Sequence, residues 1–304
     1  MKTLDVSPPM PLSILRAKAS DLIELTKPRI TFFVVMTAFV GFAVGLSGPL
    51  STIDGTLLVH TLIGTALVAS GTSAFNQIWE VDLDRKMART ASRPLPSGRL
   101  AKGEAIVFAS LMSIAGIAEL FLYVNPLTSF LAAATLSSYV LAYTPLKTRS
   151  TLSTIVGAIP GALPPLGGFT ASHGSLAPAG WALFAILFLW QLPHFYAIGW
   201  RHRVDYGRAG VKILSTVDPS GRRIARHTLF TCLALLPVVL LPTALGSAGN
   251  VYAIGAFLMT ACFLAAGVRF ARTTTDANAL TLFLVSIGWL PAVLFLLVFD
   301  RISG

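Results

Sequence analysis

Nine runs of about 20 mostly apolar residues follow one another along this 304-residue chain. They cover roughly 30–48, 56–78, 104–123, 127–146, 152–171, 179–200, 228–246, 250–270 and 279–299. Each is long enough for an α-helix to cross the hydrocarbon core of a bilayer. In that core every backbone N–H and C=O must find its partner within the protein, so the fold open to such a chain is a bundle of membrane helices. Several runs contain Gly and Pro, which membrane helices tolerate. Composition agrees: hydrophobic residues make up 54% of the chain and charged residues only 12%, with a mean hydropathy of +0.74. Soluble domains are about 25% charged. A soluble enzyme, a disordered tail and a DNA-binding domain are thereby excluded, although the net charge of +10 would otherwise point to nucleic acid.

Nine spans put the two ends of the chain on opposite sides, and the basic residues choose between the sides. Of the 23 Lys and Arg, all but Arg301 fall within 1–29, 79–103, 147–151, 201–226 and 269–277, which lie on one side. That side is expected to be cytoplasmic, and the N-terminus with it. Residues 1–29 read as a cytoplasmic N-terminal segment and 30–304 as a single transmembrane domain. The segment has no short apolar core with a cleavage site, so it is not expected to be a signal peptide. Asp5, Asp21 and Glu24 argue against a transit peptide, and a bacterial inner membrane is the expected location. The segments near 79–103 and 201–226 are long and polar. Long loops are commonly functional, so the chemistry is expected at the cytoplasmic face. Cys232 and Cys262 stand singly in apolar runs, which leaves no disulfide framework, zinc motif or covalent haem attachment.

The sequence leaving the second run carries Asn76, Glu80 and Asp84. This i, i+4, i+8 spacing stacks all three on one helix face. Oxygen-bearing side chains in a row suit a hard cation. Mg2+ takes few protein carboxylates and completes its shell with water and substrate phosphate. Asp82 is out of register and faces away. The alternative is a polar helix end neutralised by nearby bases, but an Asn inside an apolar run, continued by two acids in register, is costly without a partner. Arg85, Lys86, Arg89 and Arg93 follow directly. Guanidinium groups recognise phosphate oxygens in a fork, and the same residues can serve as positive-inside anchors. Acids beside bases suggest Mg2+ bridging an anionic diphosphate. No GxxxxGK[ST] loop occurs, so this is not P-loop chemistry.

The stretch NQIWEVDLDRKMARTASRPLPSG (76–98) resembles the first aspartate-rich motif of the UbiA-type intramembrane prenyltransferases, and most closely that of their haem branch, the protohaem IX farnesyltransferases or haem O synthases. The wider family's motif reads NxxxDxxxD, and Glu80 occupies its middle position here. LTKPRITFFVV (25–35) resembles the family's entry into the first helix, and YTPLKTRS (143–150) its Tyr-x-x-x-Lys motif after the fourth. WQLPHFYAIGWRHRVDYGRAGVKILS (190–215) resembles the second motif in its haem-branch form. Other branches carry several aspartates there, whereas this stretch holds His194 and Asp205 without a DxxxD pair. The resemblance covers most of the chain. It implies an all-α integral membrane protein of about nine helices around a central cavity opening to the cytoplasmic face. It implies farnesyl diphosphate and haem B as substrates, which with water give haem O and diphosphate, and Mg2+ as cofactor. A haem-copper oxidase assembly pathway or a haem A synthase is the partner it suggests.

On that resemblance the metal falls to Asn76, Glu80 and Asp84, with Asp205 as the candidate for a second ion. Pairing with Arg201 or Arg208 is the other role open to Asp205. Arg89, Arg93, Lys147, Arg149, Lys27, Arg29 and Lys212 are the candidates to bind diphosphate. Lys27, Arg29, Lys147 and Arg149 could instead anchor helix ends, although for Lys147 and Arg149 the resemblance to the Tyr-x-x-x-Lys motif favours the diphosphate. His194 follows Pro193 near the cytoplasmic end of the sixth run. Axial ligation of haem iron, a grip on diphosphate or water, and a purely structural role are all open to it. The expected catalytic set is Asn76, Glu80, Asp84, His194 and Asp205. Glu119 and His60 lie toward the outer side, where Glu119 is expected to snorkel or bond locally, and neither is given a catalytic role. The run from Gly157 to Gly168, with Pro160, Pro164 and Pro165, is expected to bend or break the fifth span. Three rival functions are open: a related enzyme joining a polyprenyl chain to an aromatic acceptor, a transporter, and a non-catalytic haem-binding assembly protein, which would explain His194 but leave Asn76, Glu80 and Asp84 without a role. Against the transporter, the charged groups cluster at one face and no pair of broken helices repeats in two halves.

Overall fold

The computed structural model describes residues 12–302. Every regular element among them is helical. A first helix, α1 (Leu12–Leu25), precedes nine of spanning length: α2 (Pro28–Gly45), α3 (Gly55–Trp79), α4 (Lys102–Tyr123), α5 (Pro126–Leu146), α6 (Ser153–His173), α7 (Pro178–Arg201), α8 (Arg222–Ala244), α9 (Asn250–Arg272) and α10 (Asp276–Phe299). These are the nine apolar runs, with ends shifted by a few residues. All but α6 are apolar enough by length and composition to cross a membrane. α6 is diluted by Gly and Pro, and it packs inside the bundle against α2, α5 and α7.

The expected break in α6 does not occur. Pro160, Pro164 and Pro165 all lie inside a continuous helix from Ser153 to His173. Neighbouring helices support a membrane helix from which proline has removed hydrogen bonds. Here the support comes from a very close approach to α2. A Cβ on Gly41 would stand 1.9 Å from the Pro165 carbonyl oxygen, and one on Gly168 would stand 1.9 Å from that of Ala38. Only glycine at both crossings lets the two backbones meet. Small residues serve this purpose in membranes, where packing rather than water exclusion drives helix association.

The interior is filled by side chains such as Leu183 and Ile186 of α7, Leu235 of α8, Tyr252 and Phe263 of α9, and Leu282 of α10, each at most 1% exposed. Phe32, Ile114, Leu122, Phe230 and Phe295 point outward and are exposed. That inverted pattern suits a lipid surround.

The two ends of the bundle differ. At one end the lone basic residue, Arg301, is consumed by backbone carbonyls, donating to Gly48 O at 2.8 Å and to Leu46 O. At the other end Arg99 ties α1 to the segment before α4, meeting Asp21 and Glu24 at 2.9 Å each. Lys18 pairs with Glu104, and Gln77 Nε2 donates to Leu25 O at 2.9 Å. Of the N-terminal segment, residues 1–11, Asp5 included, lie outside the described residues. Glu119 departs from its expected local bonding. Its Oε1 meets Nδ1 of His60, 59 residues earlier, at 2.7 Å, and the His60 ring stacks on Tyr123 at 4.5 Å. The tight α3–α4 packing makes this pairing across helices available.

Candidate active site

The ladder keeps its register past the end of α3. The N–H of Glu80 bonds to Asn76 O at 3.0 Å, and the N–H of Asp84 to Glu80 O at 2.8 Å. Asn76, Glu80 and Asp84 are therefore aligned on one face and buried, at 2%, 7% and 1% exposure. Asp82 points outward, paired with Arg85. Each rung meets a different basic residue. Lys27 Nζ donates to Asn76 Oδ1 at 2.8 Å. Lys147 Nζ lies 2.6 Å from Glu80 Oε1, and Arg93 Nη1 lies 2.8 Å from Asp84 Oδ2.

Local structure delivers these partners from three directions. Lys27 sits between α1 and α2 with a left-handed backbone, φ 48°, the one non-glycine residue with positive φ among those described. Strain of that kind persists where surrounding contacts over-determine it, and it gathers at functional sites. Pro28 then starts α2 at once. Lys147 follows a π-helical turn in α5, Ser138–Tyr143, and its Nζ lies 4.4 Å from the centre of the Tyr143 ring. Arg93 comes from the turn-rich segment after the ladder, where the Thr90 hydroxyl donates to Asp84 O at 2.9 Å.

Burial pulls the Lys27 ammonium down to about 7, and Arg93 and Lys147 push the same way, against Glu80 and Asp84. An incoming polyanion would restore its full charge. Burial also opposes the charge of Lys147, but Tyr143 and Glu80 outweigh it and hold that ammonium well above its usual range.

Together these groups line a cavity of about 240 Å³, with Arg89, Tyr139, Tyr143 and Tyr206 on its wall. Ile30 and Phe195 line it too and are themselves exposed, so it opens sideways between α2 and α7. Of the residues singled out in the sequence, Lys27, Asn76, Glu80, Asp84, Arg89, Arg93 and Lys147 converge here. Arg29, Arg149 and Lys212 are exposed and do not line the cavity, although the backbone N–H of Lys212 bonds to Lys147 O at 2.7 Å. Asp205 is off the cavity wall and pairs with neither Arg201 nor Arg208, while its neighbour Tyr206 reaches the wall. His194 faces α10 rather than the cavity.

Sequence reasoning passed over Thr144, whose hydroxyl accepts from Asn76 Nδ2 at 3.4 Å, and over Tyr139. A signal for Tyr139 was present. Tyr139, Tyr143 and Lys147 repeat the i, i+4, i+8 spacing of the ladder they face.

Residues 34–297 match the model of the UbiA prenyltransferase family. The chain belongs to that family. A protein of Solibacter usitatus (strain Ellin6076) named protoheme IX farnesyltransferase is 49% identical over 287 residues, covering 92% of this chain and 98% of its own. One of the same name from Opitutus terrae is 42% identical, covering 94% and 96%. Among solved structures, one concerning digeranylgeranylglyceryl phosphate synthase superposes with a TM-score of 0.79 at 18% identity, over 93% of this chain and 98% of that one. A UbiA homologue from Archaeoglobus fulgidus, bound to DMAPP and Mg2+, gives 0.61 at 15% identity, over 91% and 99%. At such identities the structures speak for the fold. This chain is thus a multi-pass membrane prenyltransferase of the UbiA family, and the cavity lies where its polar motifs meet.

Proposed function

We propose that this chain transfers the farnesyl group of farnesyl diphosphate to a vinyl group of haem B, with addition of water, giving haem O and diphosphate. The reaction takes place in the transmembrane domain, residues 30–304, at the cytoplasmic face of a bacterial inner membrane. The observation that carries the reading is the buried ladder of Asn76, Glu80 and Asp84 facing Lys27, Lys147 and Arg93 across one cavity. The names of the relatives that match over more than nine-tenths of the chain supply the acceptor and the prenyl group.

The ladder suits Mg2+. Glu80 is buried, and its Oε1 meets only the Lys147 ammonium, at 2.6 Å, among the described residues, so the carboxylate keeps lone pairs for a further ligand. Among the described residues no three His, Cys, Asp or Glu gather to enclose a metal. Two carboxylates and an amide fit an ion that keeps water and phosphate oxygens in its shell. When bound, Mg2+ would offset the negative charge that grows on diphosphate as the allylic C–O bond breaks. The A. fulgidus homologue, solved with DMAPP and Mg2+, supports the same pairing of metal and diphosphate.

The chain's own groups do the rest. Lys27, Lys147 and Arg93 are held in place by the ladder and can turn to the phosphate oxygens, with Arg89 at the cavity's exposed rim. The roles of Arg29, Arg149 and Lys212, which lie off the wall, are limited to attracting the anion as it approaches. Ligand pockets that enclose a drug-sized molecule run from about 300 Å³ upward. A 240 Å³ cavity can hold the diphosphate end, so the farnesyl chain must leave past Ile30 and Phe195 into apolar surroundings. Tyr139 and Tyr143 line the cavity, and aromatic rings there would favour the developing allylic cation. His194 is the candidate axial ligand to the haem iron. Asp205, unpaired among the described residues, stays the candidate for a second metal ion. Haem O would pass to a haem A synthase or an assembling haem-copper oxidase.

The test is product analysis. Membranes containing the protein receive haem B and farnesyl diphosphate with Mg2+ or with EDTA, and the extracted haem is resolved by chromatography with mass detection. A heavier, more apolar haem that forms only with Mg2+ is the expected result. Unchanged haem from folded protein would overturn the reading and direct the search to aromatic acceptors with longer polyprenyl diphosphates.

A further inference from the structure

His194 lies outside the cavity, but its surroundings are more specific than a structural histidine requires. Its Nδ1 is 2.7 Å from the Ser286 hydroxyl of α10. That hydroxyl is also 2.6 Å from the carbonyl oxygen of Phe283. A serine has one proton to give. If it went to Nδ1, the contact with the Phe283 oxygen would set two oxygens 2.6 Å apart with no hydrogen between them. If it goes to the Phe283 oxygen, the serine oxygen is free to accept from Nδ1–H, and both contacts become hydrogen bonds. Ser286 is fully buried, so no water can settle the matter otherwise.

The ring is held in its plane, and a half-turn within that plane would set a C–H against the buried Ser286 hydroxyl and lose the contact with Nδ1. It is stacked between Trp190 and Phe283, with centroids 5.1 Å away on each side and interplanar angles of 23° and 28°. Trp190 is itself pinned to the same residue, its Nε1 donating to Ser286 O at 2.9 Å. Nε2 of His194 meets no hydrogen-bond partner among the described residues. Phe195, the next residue along α7, is exposed and lines the cavity mouth, so this part of α7 borders the lateral opening.

We infer that Ser286 is a positioning residue: it locks His194 as the Nδ1–H tautomer and so presents Nε2 as a free electron-pair donor for the iron of the acceptor porphyrin. This is how metal-binding histidines are generally prepared, with the outer nitrogen donating to a fixed acceptor that sets the tautomer and strengthens the ligand. The inference rests on the haem reading of His194, but its structural half does not need haem.

Two measurements on the full-length protein in nanodiscs separate these parts. In the first, without haem, the protein carries 15N-histidine, and His194→Ala identifies the resonances. Wild type should show His194 protonated at Nδ1 alone, and Ser286→Ala should mix or reverse the tautomers. An Nε2–H tautomer in wild type, or an unchanged one in Ser286→Ala, overturns the role of Ser286. In the second, haem B is titrated in and the iron–nitrogen stretch of ferrous haem is read by resonance Raman. His194→Ala should abolish the band. Ser286→Ala should shift it to lower frequency and weaken haem binding roughly tenfold or more, and Ser286→Thr, which keeps the hydroxyl, should restore both. A band that survives His194→Ala removes His194 as the ligand while leaving the tautomer result standing. If Ser286→Thr behaves like Ser286→Ala in folded protein, the hydroxyl is not the cause and the inference fails.

Discussion

Asp84→Asn removes one charge from the ladder and leaves its volume unchanged. Asp84 is 1% exposed, and its Oδ2 lies 2.8 Å from Arg93 Nη1. At that distance, with an effective dielectric constant of about 20, the attraction between the two charges is about 6 kcal/mol. Most of it offsets the cost of taking the charges out of water. Arg93 keeps 23% exposure, and the asparagine oxygen can still accept its hydrogen bond. The loss of stability should therefore be about 1–2 kcal/mol, the difference between a charged and a neutral hydrogen bond. Catalysis should suffer far more, because Asp84 is proposed to hold the cation that takes up charge from the leaving diphosphate. Removing one such stabilising group costs roughly 10²–10³-fold in rate, or about 3–4 kcal/mol. The assay is farnesyl transfer to haem B at saturating substrates, run well below the variant's own unfolding temperature and repeated over a range of Mg2+ concentrations. The rate should fall by that factor, and half-maximal activity should need more Mg2+. A folded variant with turnover within threefold of wild type and an unchanged Mg2+ requirement would falsify the metal ladder and leave Asp84 as a partner for Arg93 alone.

Other expectations follow from the same contacts. Lys147→Met strands the buried Glu80 carboxylate. Turnover should drop about 100-fold, as for loss of a single charge-stabilising donor, with Lys147→Arg retaining more; equal activity in both would remove Lys147 from the diphosphate site. Gly168→Ala forces a methyl group to within 1.9 Å of the Ala38 carbonyl. It should destabilise the protein by about 3 kcal/mol or more, seen as a lowered unfolding temperature, and an unchanged one would show that α2 and α6 can part cheaply. Arg99→Ala breaks two partly exposed ion pairs with α1. It should cost about 1 kcal/mol in total and speed proteolysis within residues 12–25 while turnover persists.

Much of the architecture was legible in the sequence because a bilayer leaves few choices. Length and hydropathy specify spanning helices, and the crowding of Lys and Arg into alternate loops separates the two ends. The spacing of Asn76, Glu80 and Asp84 could also be read directly, since 3.6 residues per turn determine which side chains share a face, and the register survived the end of α3. Residue spacing reaches no further than one helix. That Lys27, Lys147 and Arg93 each take one rung, while Arg29, Arg149 and Lys212 stay off the wall, depends on three separate segments arriving at one cavity. The prolines of α6 looked disruptive in isolation, and only the glycine contacts with α2 show how an unbroken helix is supported. The pairing of His60 with Glu119, and of His194 with Ser286 some 92 residues away, likewise left no local trace. The sequence by itself determined a membrane helical bundle with one polar end and an acidic ladder beside bases, because those properties follow from solvent and helical period. Which base meets which acid, and which histidine nitrogen is left free, was decided only by tertiary structure, because buried polar groups take whichever partner the packing of distant helices brings within hydrogen-bond range.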